Sequence, residues 1–184
     1  MATSYITSSN KTYKKYVATL SQSGDGTSTY TSGPLVVGKV YEITTYISGD
    51  DFSNVANVIS GTINTDGCLF LAIGDTPTNY SNGSTLRDTS APTANVFENT
   101  IGDIIWTRSN VGEYYGILVG AFGDGSKIFI NPSEVFSPTK YGYIISYDSA
   151  DAIKVNSSDY SAWNTYTASD NILYDLPIEI RIYS

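Results

Sequence analysis

The 184-residue chain has no histidine, one cysteine and one methionine. Without histidine there is no Ser-His-Asp or Cys-His relay and no imidazole ligand for a metal. The single cysteine, Cys68, can build neither an intramolecular disulfide nor a thiolate zinc site; Leu69, Phe70 and Leu71 beside it predict a buried thiol rather than a reactive one. Cationic side chains are scarce, 10 Lys and Arg against 18 Asp and Glu, for a net charge of −8. That balance argues against nucleic acid as a partner, because phosphate affinity comes from clustered Lys and Arg. Lys11, Lys14 and Lys15 form the densest basic run and read as a solvated strand edge guarded against pairing. No apolar run reaches the ~18 residues of a membrane helix. MATSYITSSNK at the start also lacks the apolar centre of a signal peptide. The expectation is a soluble chain made in a cytoplasm, with no membrane partner. Gly24-Asp25-Gly26-Thr27 and Gly123-Asp124-Gly125-Ser126 lack the lysine of a phosphate loop and read as turns.

What remains is a β composition. Hydrophobic residues make up 41%, enough for a core, whereas charged residues are only 15%, so Ser, Thr, Asn and the sixteen tyrosines must supply the polar surface. Hydroxyl, β-branched and aromatic side chains suit antiparallel sheets. Period-two alternation marks the strands. It runs through Tyr16, Ala18 and Leu20, through Tyr41, Ile43, Thr45 and Ile47, and through Tyr141, Tyr143, Ile145 and Tyr147. The apolar run from Cys68 to Ile73 fits a buried strand closed by Gly74-Asp75-Thr76-Pro77, and Asn82-Gly83 supplies a tight turn before Thr85-Leu86-Arg87. Segments 103–108 and 113–122 flank a hairpin turn at Ser109-Asn110-Val111-Gly112, and residues 127–131 follow. Pro177 opens a last strand in which Ile178, Ile180 and Ile182 point inward, while Glu179 and Arg181 share the outer face. Asp51 to Ile59 is the one stretch read as a helical turn or two. Asp159 to Ser169 reads as a loop or short strand. The fold class is all-β, an antiparallel β-sandwich or jelly-roll-like host domain with a small inserted β module.

The insertion follows from continuity. KKYVATLSQSG, ending at Gly24, stops in a turn, and SAPTANVFENTIGDIIWTR, starting at Ser90, resumes about where the next strand would begin. Residues 25–89 between them carry strands, turns and aromatic residues of their own. Insertions survive at exposed loop tips, where no ladder bond is lost. The expected division is therefore a discontinuous host, 1–24 and 90–184, and a guest, 25–89.

Catalytic candidates are carboxylates only: Glu42, Glu98, Glu113, Glu134 and Glu179, with Asp51 and Asp103. Two of them could serve glycoside hydrolysis, but each reads more simply as an outward strand residue or a turn cap. Asp50-Asp51 after Gly49 lacks the spaced carboxylates of a calcium loop and reads as a turn. No cofactor and no metal are expected, and the chain is read as a non-enzyme. The positive signal is exposed tyrosine, a flat ring with a hydroxyl that suits sugar stacking or protein contact. Tyr114, Tyr141 and Trp163 are the chosen surface contacts, with Tyr115, Tyr143, Tyr147, Tyr160 and Tyr166 as neighbours in the same sets.

Host segments KKYVATLSQSG, SAPTANVFENTIGDIIWTRSNVGEYYGILVGAF and LPIEIRIYS resemble small structural proteins encoded by tailed phages of Bacteroidetes and marine bacteria. The guest segment, from PLVVGKVYEITTYISGDDF to TPTNYSNGSTL, resembles a module recurrent in phage virion proteins, with Tyr80 where that pattern often has Trp. Together these cover more than half the chain; the part from Phe136 to Asp175 matches neither pattern. The motifs are architectural, so the resemblance transfers no site residues. It makes Gly49, Asp50, Asp51 and Phe52 determinants of a guest turn, and Glu98, Asn99, Thr100 and Gly102 determinants of the start of a host strand. It implies a virion component: a head fibre, head-decoration or auxiliary capsid protein whose partners are other virion proteins and itself, with a homotrimer as the expected oligomer. The runner-up is a tail-associated protein that binds a receptor or a host-surface glycan.

Overall fold

The structure, a computed structural model, describes residues 12–131, 141–160 and 166–184 together with the backbone of the short strand 134–136. Strands follow one another as β1 (Tyr13–Ser21), β2 (Thr29–Tyr30), β3 (Val40–Thr45), β4 (Ala56–Ser60), β5 (Leu69–Ala72), β6 (Thr85–Asp88) and β7 (Thr93–Asn99). They continue as β8 (Ile105–Asn110), β9 (Glu113–Ile117), β10 (Ile128–Asn131), β11 (Glu134–Phe136), β12 (Tyr141–Ser149), β13 (Ala152–Asp159), β14 (Thr167–Ala168) and β15 (Leu176–Tyr183). All strand pairs are antiparallel, so the fold is all-β.

Three sheets result, ordered β10-β15-β1-β7, then β11-β12-β13-β9-β8 with β14 beside β13, and β2-β6-β3-β5-β4. The first two share one core. Tyr16, Ala18 and Leu20 of β1 and Ile178 and Ile180 of β15 meet Trp106, Tyr114, Tyr143, Ile145, Ile153 and Val155 of the second sheet. This is the two-sheet arrangement of a sandwich, with alternate residues of each strand directed inward. All strands of the third sheet come from residues 29–88, and its core is separate: Leu35, Tyr41, Ile43, Phe52, Val55, Cys68, Phe70, Ala72, Tyr80 and Leu86. Cys68 is fully buried there, and burial pushes its thiol pKa up, away from reactive thiolate.

Three expectations need correction. Asp51 to Ile59 is not helical: Asp51 bridges to Asn79, a single turn joins Phe52 to Val55, and β4 begins at Ala56. Tertiary pairing with β5 outweighs the weak local preference of this segment. Lys15 is not a free edge residue, since β1 runs between β15 and β7 and Lys15 is held by Thr100, by Glu98 at 3.0 Å and by Glu179 at 3.7 Å, whereas Lys14 is exposed and lies beyond the β7 ladder. Lys11 lies outside the described residues. Finally, the Glu98-Asn99-Thr100-Gly102 group closes β7 rather than opening a strand. The Asn99 side chain accepts from the backbone N–H of Ile101 and Gly102, and Thr100 ties the turn to Lys15 through both backbone and hydroxyl.

A polar neck joins the two cores. Ser90 Oγ accepts from Gly26 N at 3.0 Å, Asp88 accepts from Ser90 N at 2.8 Å, and Thr89 bonds the Val40 carbonyl through both N–H and hydroxyl. On the sandwich side, Gln22 accepts from Asn171 N at 2.6 Å and donates to the Gly24 carbonyl at 2.7 Å. Gln22, Asp88, Thr89 and Ser90 are all buried. A flexible tether would leave such groups to water. Here each has a partner within the protein, and the Gly26–Ser90 bond ties the two crossing strands to each other.

Candidate interaction surface

The carboxylates come first, as the groups able to do chemistry. Asp50 is 1% exposed and accepts from the backbone N–H of Ser81, Asn82 and Ser84, each at 2.9 Å, and from the Asn82 amide at 3.1 Å. Burial pulls its pKa up, but these donors outweigh it and hold the carboxyl below its usual range. Asp51 accepts from the hydroxyl and N–H of Ser53 and from Asn64, and those bonds bring its pKa down to about 2. Donors thus occupy both oxygens of Asp50 and Oδ1 of Asp51, binding the two carboxylates into the turn. The SGDDF segment closes a turn, with Gly49 at φ 104° and Phe52 buried against Phe70 and Tyr80.

The other candidates are engaged in the same way. Glu42 pairs with Arg87, Glu98 with Lys15, Glu113 with Lys154, and Glu179 with Arg181. Asp103 accepts from Asn99 at 3.3 Å; the Glu134 side chain lies outside the described residues. Lys154 and Arg181 hold Glu113 and Glu179, respectively, below the usual carboxylate range. A general acid working at neutral pH needs the opposite shift. Among the described residues no three of Asp, Glu, Cys or His converge on a point where a metal ion could sit.

The tyrosines divide by strand parity. Tyr114 is fully buried, a correction to its choice as a surface contact. Its ring fills the sandwich core, and its hydroxyl donates to Asp170 at 2.9 Å and lies 3.1 Å from the Gln22 amide oxygen. Asp170 in turn receives both Nε and Nη2 of Arg108, at 3.1 and 2.6 Å, and Gly112 N at 3.0 Å. Tyr141 is half-buried against the same core, and Tyr143 is buried with its hydroxyl on the Ile172 carbonyl. Trp163 lies outside the described residues. Tyr80 fills a core position of the third sheet; burial pushes its pKa up to about 12, and its hydroxyl donates to the Tyr30 carbonyl. Tyr160 packs edge-on against Tyr166, which remains 74% exposed.

Two neighbouring exposed apolar side chains, Val96 and Phe97, lie on β7, which sequence reading passed over. Among the described residues this strand pairs only with β1, at one end of its sheet. Val17 faces Glu98 and Ala18 faces Val96, which leaves Phe97 as the extra residue of a β-bulge. Val96 is 45% and Phe97 64% exposed. A cleft of about 420 Å³ lies alongside, lined by Ala94 and Val96 of β7, Val37 of the loop before β3, Leu71 of β5, and Tyr16 and Trp106. Bulges on edge strands bend them away from indiscriminate pairing. The adjacent Val-Phe pair, breaking an otherwise alternating Ala94-Asn95-Val96, was the available signal. The outer face of the first sheet is different in character. Arg181 lies over the rings of Tyr13 and Phe129, beside Lys15 and Glu179, so charge and aromatic surface are interleaved there.

Comparison with known protein families, with curated proteins and with solved structures returns no match.

Proposed function

We propose that this chain is a non-enzymatic structural protein of a phage virion, a head fibre, head-decoration or auxiliary capsid protein, with residues 25–89 a module inserted in a host sandwich. The observation that carries the reading is a contrast. The carboxylates are committed to turns and ion pairs, while apolar side chains lie uncovered along the bulged edge of β7. Such a chain offers contact rather than chemistry. The partner for β7 in this reading is a neighbouring virion subunit, a second copy of the chain or a capsid protein. The polar neck then suits display, because a module held by buried hydrogen bonds keeps one orientation on the particle. The sequence resemblance to phage structural proteins points the same way.

Cryo-electron microscopy of the purified virion tests the proposal. Density on the capsid in symmetric multiples, with β7 against the lattice or a second copy, is the expected result. Density confined to the tail tip would replace it with the receptor-binding reading, and absence of the chain from the particle would overturn both.

A further inference from the structure

Among the described residues four that are not glycine hold a positive φ: Asn64 at 62°, Ser90 at 53°, Asn171 at 61° and Asp175 at 45°. Three of these converge on one place. Asn171 and Asp175 bracket Ile172, Leu173 and Tyr174, and Ser90 lines the cleft next to that loop. Asn and Asp adopt left-handed backbone readily and so make the two corners of the loop; at Ser90 it persists because the surroundings impose it, and such residues gather at ligand sites.

The loop is pinned on both flanks. Gln22 N donates to the Leu173 carbonyl at 3.0 Å, Asn171 accepts from Gly24 N at 2.5 Å, and Asp175 N donates to Ser21 Oγ at 3.0 Å. Ile172 and Leu173 are buried in the sandwich core, yet Tyr174 between Leu173 and Asp175 is 85% exposed. A backbone this constrained holds an aromatic ring in water. Beside the ring is a cleft of about 240 Å³ whose lining includes Ser23, Lys39, Asp88, Ser90 and Thr93. Asp88 takes one of the three N–H donors of Lys39, at 2.5 Å.

We infer that the cleft beside Tyr174 is a subsite for a single neutral sugar ring, the terminal residue of a surface glycan. An apolar ring face would stack on Tyr174, and the ring hydroxyls would meet the Lys39 ammonium and the hydroxyls of Ser23 and Thr93, while Asp88 and Ser90 stay bonded within the neck and form the floor. Size agrees, since the volume falls below the ~300–1,000 Å³ of sites for larger ligands. Charge agrees too: Lys39 and Asp88 cancel within one ion pair, so the cleft offers a phosphate or an acidic sugar no uncompensated cation. One such shallow site would bind weakly and gain strength from many copies on one particle. The inference is read on the isolated chain, so it stands or falls separately from attachment to a particle.

The experiment is an NMR titration of the full chain, following backbone amides, with the methyl glycosides of glucose, galactose, mannose and N-acetylglucosamine. At least one sugar should give saturable shifts clustered at Ser23, Lys39, Tyr174 and Asp175. Tyr174→Ala should weaken that binding about tenfold or more without lowering Tm, Tyr174→Phe should retain it, and Tyr166→Ala should change nothing. No clustered shift with any of the four sugars, shifts gathered elsewhere, or undiminished binding by Tyr174→Ala would each overturn the inference.

Discussion

Asp50 shows how much of this fold rests on single side chains. One carboxylate collects four N–H donors from residues 81–84, more than thirty positions away, and so locks the loop before β6 to the turn after β3. Replacement by Asn puts an amide donor where an acceptor is required. Asp50→Asn should therefore cost about 2–3 kcal/mol in urea unfolding, whereas Asp103→Asn, at an exposed residue, should stay within about 0.5 kcal/mol. Tyr114→Phe removes the hydroxyl that Asp170 and Gln22 share and should cost about 1–2 kcal/mol, with sugar binding at Tyr174 untouched. The sequence showed a turn at Gly49-Asp50-Asp51 but not the reach of Asp50, because its partners are defined only once two distant loops meet. Tyr114 was illegible for another reason. In Tyr114-Tyr115 one ring must face inward, and only the position of the opposing sheet decides which.

Alternation made most strands visible at the scale of elements. Ile178 and Ile180 do face the core, and Glu179 and Arg181 do share the outer face, 2.7 Å apart. Sheet order was not visible, since it depends on pairings such as β1 with β15, whose ends are separated by nearly the whole chain. So Lys15 looked like an edge residue and β7 did not. The bulge at Phe97 gives β7 its own prediction. Phe97 is mostly solvated in the isolated chain, so Phe97→Lys should change its stability by no more than about 0.5 kcal/mol. If β7 is the assembly face, the same variant should fail to incorporate into particles, as measured by copy number in purified virions against wild type. Normal incorporation would move the contact to another surface and leave β7 as a guarded edge.

Charge and connectivity act on the whole molecule. Asp50, Asp51, Asp170, Glu113 and Glu179 all have lowered pKa values in the fold. A lowered folded pKa gives stability that is full above the unfolded value of about 4 and lost as pH falls through the folded one. Tyr80 and Tyr114 are raised by burial, so their contribution is full below pH ~10 and lost above it. With no histidine to titrate between, urea unfolding should show a plateau from about pH 5 to 8, with acid loss down to pH 2 and alkaline loss that begins as the unfolded Cys68 thiol ionises at pH ~8.5 and continues toward pH 12. Connectivity gives the stronger test. An ideal Cβ on Gly24 would lie 2.4 Å from Ser90 Oγ, so the two ends of the proposed module almost touch. Among the described residues the sandwich core draws none from 25–89, and the core of the third sheet draws none from outside that segment. Replacing residues 25–89 by a short Gly-Ser turn should thus leave a folded sandwich. Its unfolding should remain a single cooperative transition, with an m-value reduced in step with the surface removed. The neck bonds from Thr89 to Val40 would go, and Arg108 would gain solvent, but Asp170 would still hold it through two bonds. An unfolded product would mean that the two cores stabilise one another across the neck. In that case residues 25–89 are an integral layer of one domain, and the host-and-module reading fails.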